Sequence, residues 1–225
     1  MNVLLLAILW AVVGAAGGWV VRWGSVRLAR LEELEPGDKR WQVYGPPILA
    51  AILFAVFATE PTSFALLVLR SVFVLVLVQV IFFDFEHRLI LDRVMFPSIG
   101  LAVVMSVFRA PYLTLGPLKI GWTGLAMGLG AGLLFLLLAL VGSAIFKAEA
   151  LGFGDVKLAL FLGILLGPLP TIQALFYGVF LAGVVSVFLI VRYRTMKQTI
   201  AYGPYLAAGA LITLYLYQGL PTSSA

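Results

Sequence analysis

Residues 64–83 read FALLVLRSVFVLVLVQVIFF, a run of twenty positions in which Arg70 is the one charged side chain. An α-helix needs about 20 consecutive apolar residues to cross the hydrocarbon core of a bilayer, so this run predicts a membrane-spanning helix. Asp84 follows the run directly. We therefore expect a carboxylate at the end of a membrane helix, near the boundary between lipid and water.

The composition of the whole chain agrees with this prediction. Of its 225 residues, 63% are hydrophobic and 11% are charged, and the mean hydropathy is +1.11. So few polar residues cannot cover the surface of a soluble globule of this size. The expected fold class is therefore an all-α polytopic membrane protein, and a cytosolic enzyme is excluded.

Apolar runs recur along the chain and predict about eight transmembrane helices within a single integral-membrane domain at residues 1–225. Several runs are shorter than about 20 residues, so we expect some helices to be packed inside the bundle or extended by flanking residues. The runs lie at residues 3–21, 47–58, 64–83, 94–108, 121–146, 158–169, 171–191 and 205–220.

The hydrophilic stretch from Arg22 to Tyr44 separates the first two runs and predicts a short cytoplasmic loop at residues 22–45. The first run has no basic segment before it and no small-residue cleavage site followed by a soluble domain. We therefore interpret it as a retained helix rather than a removed signal peptide.

Basic residues indicate which side of the membrane each loop faces. With the N-terminus outside, alternation of the helices places four segments in the cytoplasm, and these carry twelve of the fifteen Lys and Arg residues. Cytoplasmic loops are enriched in Lys and Arg, so this orientation is favoured over the inverted one. The four segments are residues 22–44, 84–93, 147–157 and 192–197.

The side chains available for chemistry are limited. The chain has no cysteine and one histidine, His87. This composition excludes disulfides, thiol nucleophiles, iron–sulfur clusters and cysteine-ligated zinc, and it leaves little for a histidine-built metal site. Catalysis would have to use carboxylates, hydroxyls or lysines. We expect no metal site, and we interpret His87 as an interfacial side chain rather than a catalytic one.

Half of the ten acidic residues fall in two short segments that the predicted topology places at the same cytoplasmic face. Asp84 follows one apolar run and Asp155 precedes another, and two carboxylates within hydrogen-bond distance share a proton and can activate water. Each also has a structural alternative: Asp155 as a helix N-cap, and Asp84 as a solvated helix end. The five acids are Asp84, Glu86, Asp92, Glu149 and Asp155.

Glycines mark two further features of the sequence. Gly152 and Gly154, just before Asp155, would allow positive φ angles and the close approach of another chain, such as an extended substrate. The fifth run contains Gly128 and Gly132 at a spacing that lets membrane helices pack closely. We interpret this second pattern as helix packing rather than function.

Four elements of the sequence form an ordered set. In chain order they are Gly24-Ser25 after the first helix, Asp84-Phe85-Glu86-His87-Arg88 with Asp92 and Pro97, Gly152-Phe153-Gly154-Asp155 with Val156 and Lys157, and Tyr202 to Gly209 in the closing helix. Together they resemble the GxGD-type intramembrane aspartyl proteases, and more narrowly the type IV prepilin peptidase (prepilin leader peptidase) family. The presenilin-like branch is disfavoured, because its Tyr before the first aspartate and its Pro-Ala-Leu motif do not occur here.

The resemblance implies a membrane-embedded aspartic endopeptidase of the prokaryotic inner membrane. It would cleave the leader peptide of type IV prepilins or related pseudopilins at the cytoplasmic face, with Asp84 and Asp155 as the catalytic residues. Proteolysis needs no cofactor, S-adenosylmethionine is used only if the product is also N-methylated, and the partners are the substrate and membrane lipids rather than nucleic acid. Residues expected to bind substrate or support the site are Gly152, Gly154, Lys157, Glu86, Asp92, Gly203 and Pro204.

Several of these roles have alternatives. Lys157 either turns inward and lowers the apparent pKa of the aspartate pair, or extends to the lipid headgroups. Family substrates carry a basic residue just before the cleavage point, which Glu86, Asp92 or Glu149 would attract. Each of these acids is equally interpretable as a solvated interfacial side chain.

The chain departs from the family pattern in two places. Leu91 stands where the family usually has Pro, and residues 22–45 stand where bifunctional relatives have a large cytoplasmic domain. That domain carries cysteines that look like a zinc site and is tied to N-methylation. The chain therefore resembles a short form of the family, and N-methylation is the less expected activity.

The main alternative function is a proton- or cation-coupled membrane transporter, because carboxylates in membrane proteins often mark ion pathways. Transporter acids cluster near the bilayer midplane on broken helices, whereas these acids are expected at one boundary of the membrane. A purely structural subunit of a secretion assembly would leave the paired aspartates unexplained.

Overall fold

The computed structural model describes residues 3–59, 64–107, 121–146, 151–193 and 201–217. These residues form eight α-helices, and none of them lies in a β-strand. They divide into two compact units, one ending at Leu89 and the other beginning at Ile90. The first unit contains α1 (Val3–Leu31), α2 (Arg40–Ala58) and α3 (Phe64–His87), and the second contains α4 (Asp92–Val107), α5 (Gly121–Phe146), α6 (Phe153–Leu166), α7 (Pro168–Tyr193) and α8 (Gly203–Leu216).

The all-α fold expected from the sequence is confirmed. Helices α1, α2, α3, α5 and α7 are long and apolar enough to cross a membrane. The other three helices have 16, 14 and 14 residues. At 1.5 Å per residue they extend about 21–24 Å, less than the roughly 30 Å of a bilayer core. The single peptidase domain stays a prediction, and each unit is described by itself.

Helix α1 is longer than the apolar run that predicted it. The run stops at Val21, but the helix continues to Leu31, because its buried face keeps a helical spacing of three to four residues. The connection to α2 therefore shrinks to residues 32–39, and the loop expected at 22–45 is shorter in the structure. The buried residues in the second half of α1 are Gly18, Arg22, Ser25 and Ala29.

In the first unit, α1 lies close against α2. A Cβ atom added to Gly18 would meet the carbonyl oxygen of Pro46 at 2.6 Å, so only a residue without a side chain lets the two backbones approach this closely. Helix α3 packs against both of these helices. Trp10 Nε1 on α1 donates a hydrogen bond of 2.9 Å to Ser71 Oγ on α3.

Helix α6 is the centre of the second unit, where it packs against α4, α5, α7 and α8. Ten of its 14 residues are buried. A helix that is apolar on every side is stable where other helices surround it. The expectation that some short runs lie inside the bundle is therefore confirmed for α6, the helix that carries Asp155 in its first turn.

Glycine lets α5 approach α6. A Cβ atom added to Gly163 on α6 would lie 2.5 Å from the Cα atom of Gly128 on α5. One added to Gly132 would lie 3.1 Å from the Cβ atom of Leu160. Gly130, on the same helix, has nothing within 4 Å of its added Cβ atom. The predicted packing role of Gly128 and Gly132 is confirmed, and Gly130 lies outside this contact.

We predict that Gly128→Val destabilises the protein by about 1–3 kcal/mol, because overpacking forces neighbouring backbones apart. The same substitution at Gly130 is the matched control, since it makes the same change in helix propensity without a neighbour to displace. Thermal unfolding of the two variants in detergent measures the difference. Equal loss of stability in both variants would contradict the packing assigned to α5 and α6.

Candidate functional site

Asp84 lies in the last turn of α3 and is 4% exposed. Just beyond the end of the helix, Arg88 adopts a positive φ angle of 54°, and its backbone N–H donates a hydrogen bond of 2.8 Å to the Asp84 carbonyl oxygen. A residue in the left-handed backbone conformation ends the helix and turns the chain away from its axis. The alternative of a solvated helix end is therefore wrong for Asp84, because its side chain is buried.

Asp155 is the third residue of α6 and is 7% exposed. The N-cap is Gly152, and no side chain forms a cap hydrogen bond there. The structural alternative for Asp155, that of an N-cap, is therefore wrong. The Asp155 backbone N–H donates to the Gly152 carbonyl oxygen at 3.1 Å, which places the carboxyl inside the first helical turn.

Gly152 and Gly154 differ from the expectation of positive φ angles. Gly152 is extended, with φ −70°, and Gly167 is the glycine with a positive φ among the described residues. Gly154 instead permits a close approach within the chain. A Cβ atom there would lie 2.8 Å from the Cβ of Ile90, whereas one on Gly152 would lie 3.5 Å from its nearest neighbour, an ordinary contact.

Lys157 takes neither of its two expected positions. Its ammonium pairs with the Asp92 carboxylate in the first turn of α4. The same nitrogen lies 5.1 Å from the ring centroid of Phe96 and 4.8 Å from that of Phe153, in cation–π contacts. Asp92 itself is half exposed, at 55% of its side chain. The pair thus connects the turn that carries Asp155 to α4.

Glu86 belongs to a buried ion pair and is not a solvated interfacial acid. Its Oε2 accepts a hydrogen bond of 3.2 Å from Arg22 Nη1, and the two side chains are 6% and 9% exposed. Its Oε1 accepts a hydrogen bond from the backbone N–H of Gly37. His87 Nε2 lies 3.3 Å from the same oxygen but without hydrogen-bond geometry. The imidazole ring packs on Phe83, with the two ring centroids 4.7 Å apart.

Two residues of this arrangement, Arg22 and Gly37, were missed by the sequence analysis. Arg22 counted there as a loop charge that set the topology. The signal for its true position was the helical spacing of Gly18, Arg22 and Ser25, which places the arginine on the same buried face as two small residues. Nothing local in the sequence distinguishes Gly37 from other loop glycines.

The Gly24-Ser25 element has a contact of its own. Ser25 is buried, and its Oγ donates a hydrogen bond of 2.9 Å to Gln79 Oε1 on α3. Gln79 precedes Asp84 by five residues and Glu86 follows it by two. Helix α1 therefore holds α3 on both sides of Asp84 along the sequence.

The closing helix begins within the Tyr202 to Gly209 motif, two residues before the apolar run at 205–220 that predicted it. Gly203 and Pro204 are its first two residues and are buried. Proline is favoured at this position, because the first N–H groups of a helix have no intrahelical partner. Leu91, found where the family usually has Pro, is buried, and its carbonyl oxygen accepts hydrogen bonds from Val94 and Met95 at the start of α4. The predicted role of Glu149 falls outside the described residues.

Within each unit, the structure brings a subset of the predicted site residues together. The first unit joins Glu86 to Arg22 in the turn that contains Asp84. The second joins Lys157 to Asp92 beside the turn that contains Asp155. The pairing of the two aspartates stays a prediction.

Comparison with known proteins gives one family. The sequence model of the type IV leader peptidase family matches residues 71–187, just over half of the chain. The match runs from α3 to α7 and includes both aspartates and the residues that flank them. No curated protein and no solved structure matches the chain significantly.

We predict that Gly154→Ala costs about 1–3 kcal/mol of stability, because its methyl group would collide with Ile90 and the backbone would have to move. Gly152→Ala is the matched control and should lose less stability, since its methyl group meets nothing closer than van der Waals contact and the change removes only the preference for glycine at the N-cap. Thermal unfolding in detergent compares the two variants. A larger loss in Gly152→Ala would contradict the contact with Ile90.

Proposed function

The chain belongs to the type IV leader peptidase family, and on that premise we propose that it is an aspartic endopeptidase with Asp84 and Asp155 as its catalytic residues. The observation that carries the proposal is the family match over residues 71–187, which contains both acids. Their burial supports it as well. Buried carboxyl groups at helix ends are frequent carriers of acid–base chemistry in active sites.

The proposed chemistry is acid–base catalysis without a covalent intermediate. One carboxylate accepts a proton from a water molecule as its oxygen attacks the scissile carbonyl carbon. The other, protonated, donates a hydrogen bond to the developing oxyanion. The proton then passes to the leaving amine as the C–N bond breaks. Two neighbouring carboxyls that share one proton provide both functions, and they titrate as a unit.

The neighbouring residues have supporting roles in this proposal. Gly154 lets Ile90 pack against the turn of Asp155, and the Lys157–Asp92 pair holds that turn to α4. Gly203 and Pro204 set the start of α8. Asp92, half exposed despite its partner, is better suited than the buried Glu86 to attract the basic residue that precedes the cleavage point of family substrates.

The substrate is proposed to be a type IV prepilin or a related pseudopilin, cleaved at the cytoplasmic face of the inner membrane. The family match supports a leader peptidase, and the five helices long enough to span a bilayer support an integral membrane protein. The distribution of Lys and Arg supports an N-terminus outside the cytoplasm.

We predict that Asp84→Asn and Asp155→Asn each reduce cleavage by at least about 100-fold, the lower end of what general acid–base catalysis contributes. Asparagine keeps the shape of the side chain but can neither accept nor deliver the proton. Detergent-purified protein is incubated with a substrate carrying a basic leader peptide, and shortening is followed by electrophoresis. Asp38→Asn, at an exposed acid of the α1–α2 connection, is the control.

Full activity in either variant would contradict the assignment of that aspartate. The same assay separates the peptidase from a transporter or a structural subunit, because neither of those shortens the substrate.

We also predict that cleavage needs neither metal nor S-adenosylmethionine. The chain has no thiolate and one imidazole, so the usual ligands of a closed zinc site are missing. Chelators should leave the rate of cleavage unchanged, and mass spectrometry should find an unmethylated N-terminus on the product even when S-adenosylmethionine is present. A product heavier by one methyl group would show that the enzyme is bifunctional.

A further inference from the structure

The Arg22–Glu86 ion pair lies at the end of α3, two residues beyond Asp84. We infer that it is a clamp that fixes the turn carrying Asp84, which makes Arg22 and Glu86 positioning residues for the cleavage reaction. The inference rests on the proposed function for its kinetic consequence. Its structural part concerns the first unit alone.

The clamp reaches a third segment through Gly37. Glu86 Oε1 accepts a hydrogen bond from the Gly37 backbone N–H, and Arg22 Nη2 donates one to the Gly37 carbonyl oxygen. The two charged side chains therefore hold both backbone polar groups of one residue in the α1–α2 connection. Three segments, α1, α3 and residues 32–39, are joined at a single ion pair.

Stability alone does not account for this arrangement. The desolvation of two charges offsets most of their mutual attraction, so a buried ion pair adds little net free energy of folding compared with a pair of apolar side chains. The pair instead orients the segments that it joins, because hydrogen bonds to a carboxylate and a guanidinium have preferred geometries. By accepting from Arg22 and Gly37 at once, Glu86 restricts the orientation of the last turn of α3.

The spacing of Asp84 and Glu86 suits this role. Side chains two residues apart on an α-helix point to nearly opposite sides. A contact at Glu86 therefore holds the turn from the face opposite to Asp84 and leaves the catalytic carboxyl unobstructed. Movement of Glu86 would carry Asp84 with it, because both belong to one helical turn.

Substrate recognition is a poorer account of Glu86. Its side chain is 6% exposed, and its charge is balanced by Arg22. A basic residue of the substrate would have to displace Arg22 and Gly37 to reach it. Asp92 is also paired, with Lys157, but at 55% exposure its side chain can be reached without displacing that partner.

Steady-state kinetics distinguish positioning from recognition. Glu86→Gln should lower kcat by about tenfold or more, because small displacements of a catalytic group are costly, while KM stays within about twofold. The loss should be the same for a substrate whose basic residue before the cleavage point is replaced by a neutral one. Glu35→Gln, the same substitution at an exposed acid in the connection, should match the wild type.

A rise in KM that disappears with the neutral substrate would overturn the inference, because Glu86 would then bind the basic residue.

Arg22→Met should reproduce the kcat loss of Glu86→Gln, with Arg30→Met at an exposed position as its control. The double variant Arg22→Met with Glu86→Met leaves no unpaired buried charge. It should fold as stably as the wild type and still show the lowered kcat, and wild-type kcat in this variant would also overturn the inference.

Limited proteolysis tests the clamp without any substrate. Lys39 and Arg40 are exposed at the end of the connection, so trypsin cuts there when residues 32–39 are released. Cleavage after Lys39, mapped by mass spectrometry, should be about tenfold faster in Glu86→Gln than in wild type or Glu35→Gln, because local opening sets the rate. Equal rates would overturn the clamp. Faster proteolysis in a protein whose wild type cleaves no leader peptide would instead contradict the proposed function and leave the clamp standing.

Discussion

The pairing of the few charged side chains near the two aspartates is the constraint on which the rest of this structure depends. An unpaired buried ion costs several kcal/mol, and with 11% charged residues the chain has few ions to place. The described units place one ion pair two residues beyond each aspartate: Glu86 with Arg22 after Asp84, and Lys157 with Asp92 after Asp155. Residues two apart face opposite sides of a helix. Each ion pair therefore contacts its helical turn on the face opposite to the aspartate and joins that turn to another helix.

Close packing of backbones provides the rigid support for these turns. In the second unit, α6 is surrounded by four helices, and Gly163 meets Gly128 without a side chain between them. Gly154 brings Ile90 against the same turn that contains Asp155. A catalytic group gains precision when the element that carries it is fixed on several sides. Gly154 thus serves the packing of the chain on itself rather than an unusual backbone conformation.

The sequence predicted the helices better than their ends and partners. Helix α5 begins and ends at the predicted residues, because its limits coincide with the limits of apolar composition. The end of α1 was missed, since hydropathy falls after Val21 while the buried helical face continues. The ion pairs Arg22–Glu86 and Lys157–Asp92 join residues 64 and 65 positions apart. Such pairings depend on how the helices pack, which a local pattern does not encode.

The most direct test of the central claim, that Asp84 and Asp155 act together on one peptide bond, is the affinity of a substrate analogue. The analogue is a leader peptide whose scissile amide is replaced by a hydroxyl-bearing tetrahedral isostere. The account predicts that wild-type protein binds it at least about 100-fold more tightly than the substrate, and that Asp84→Asn and Asp155→Asn each lose this advantage. Equal affinity for isostere and substrate, or a loss confined to one of the two variants, would contradict the account.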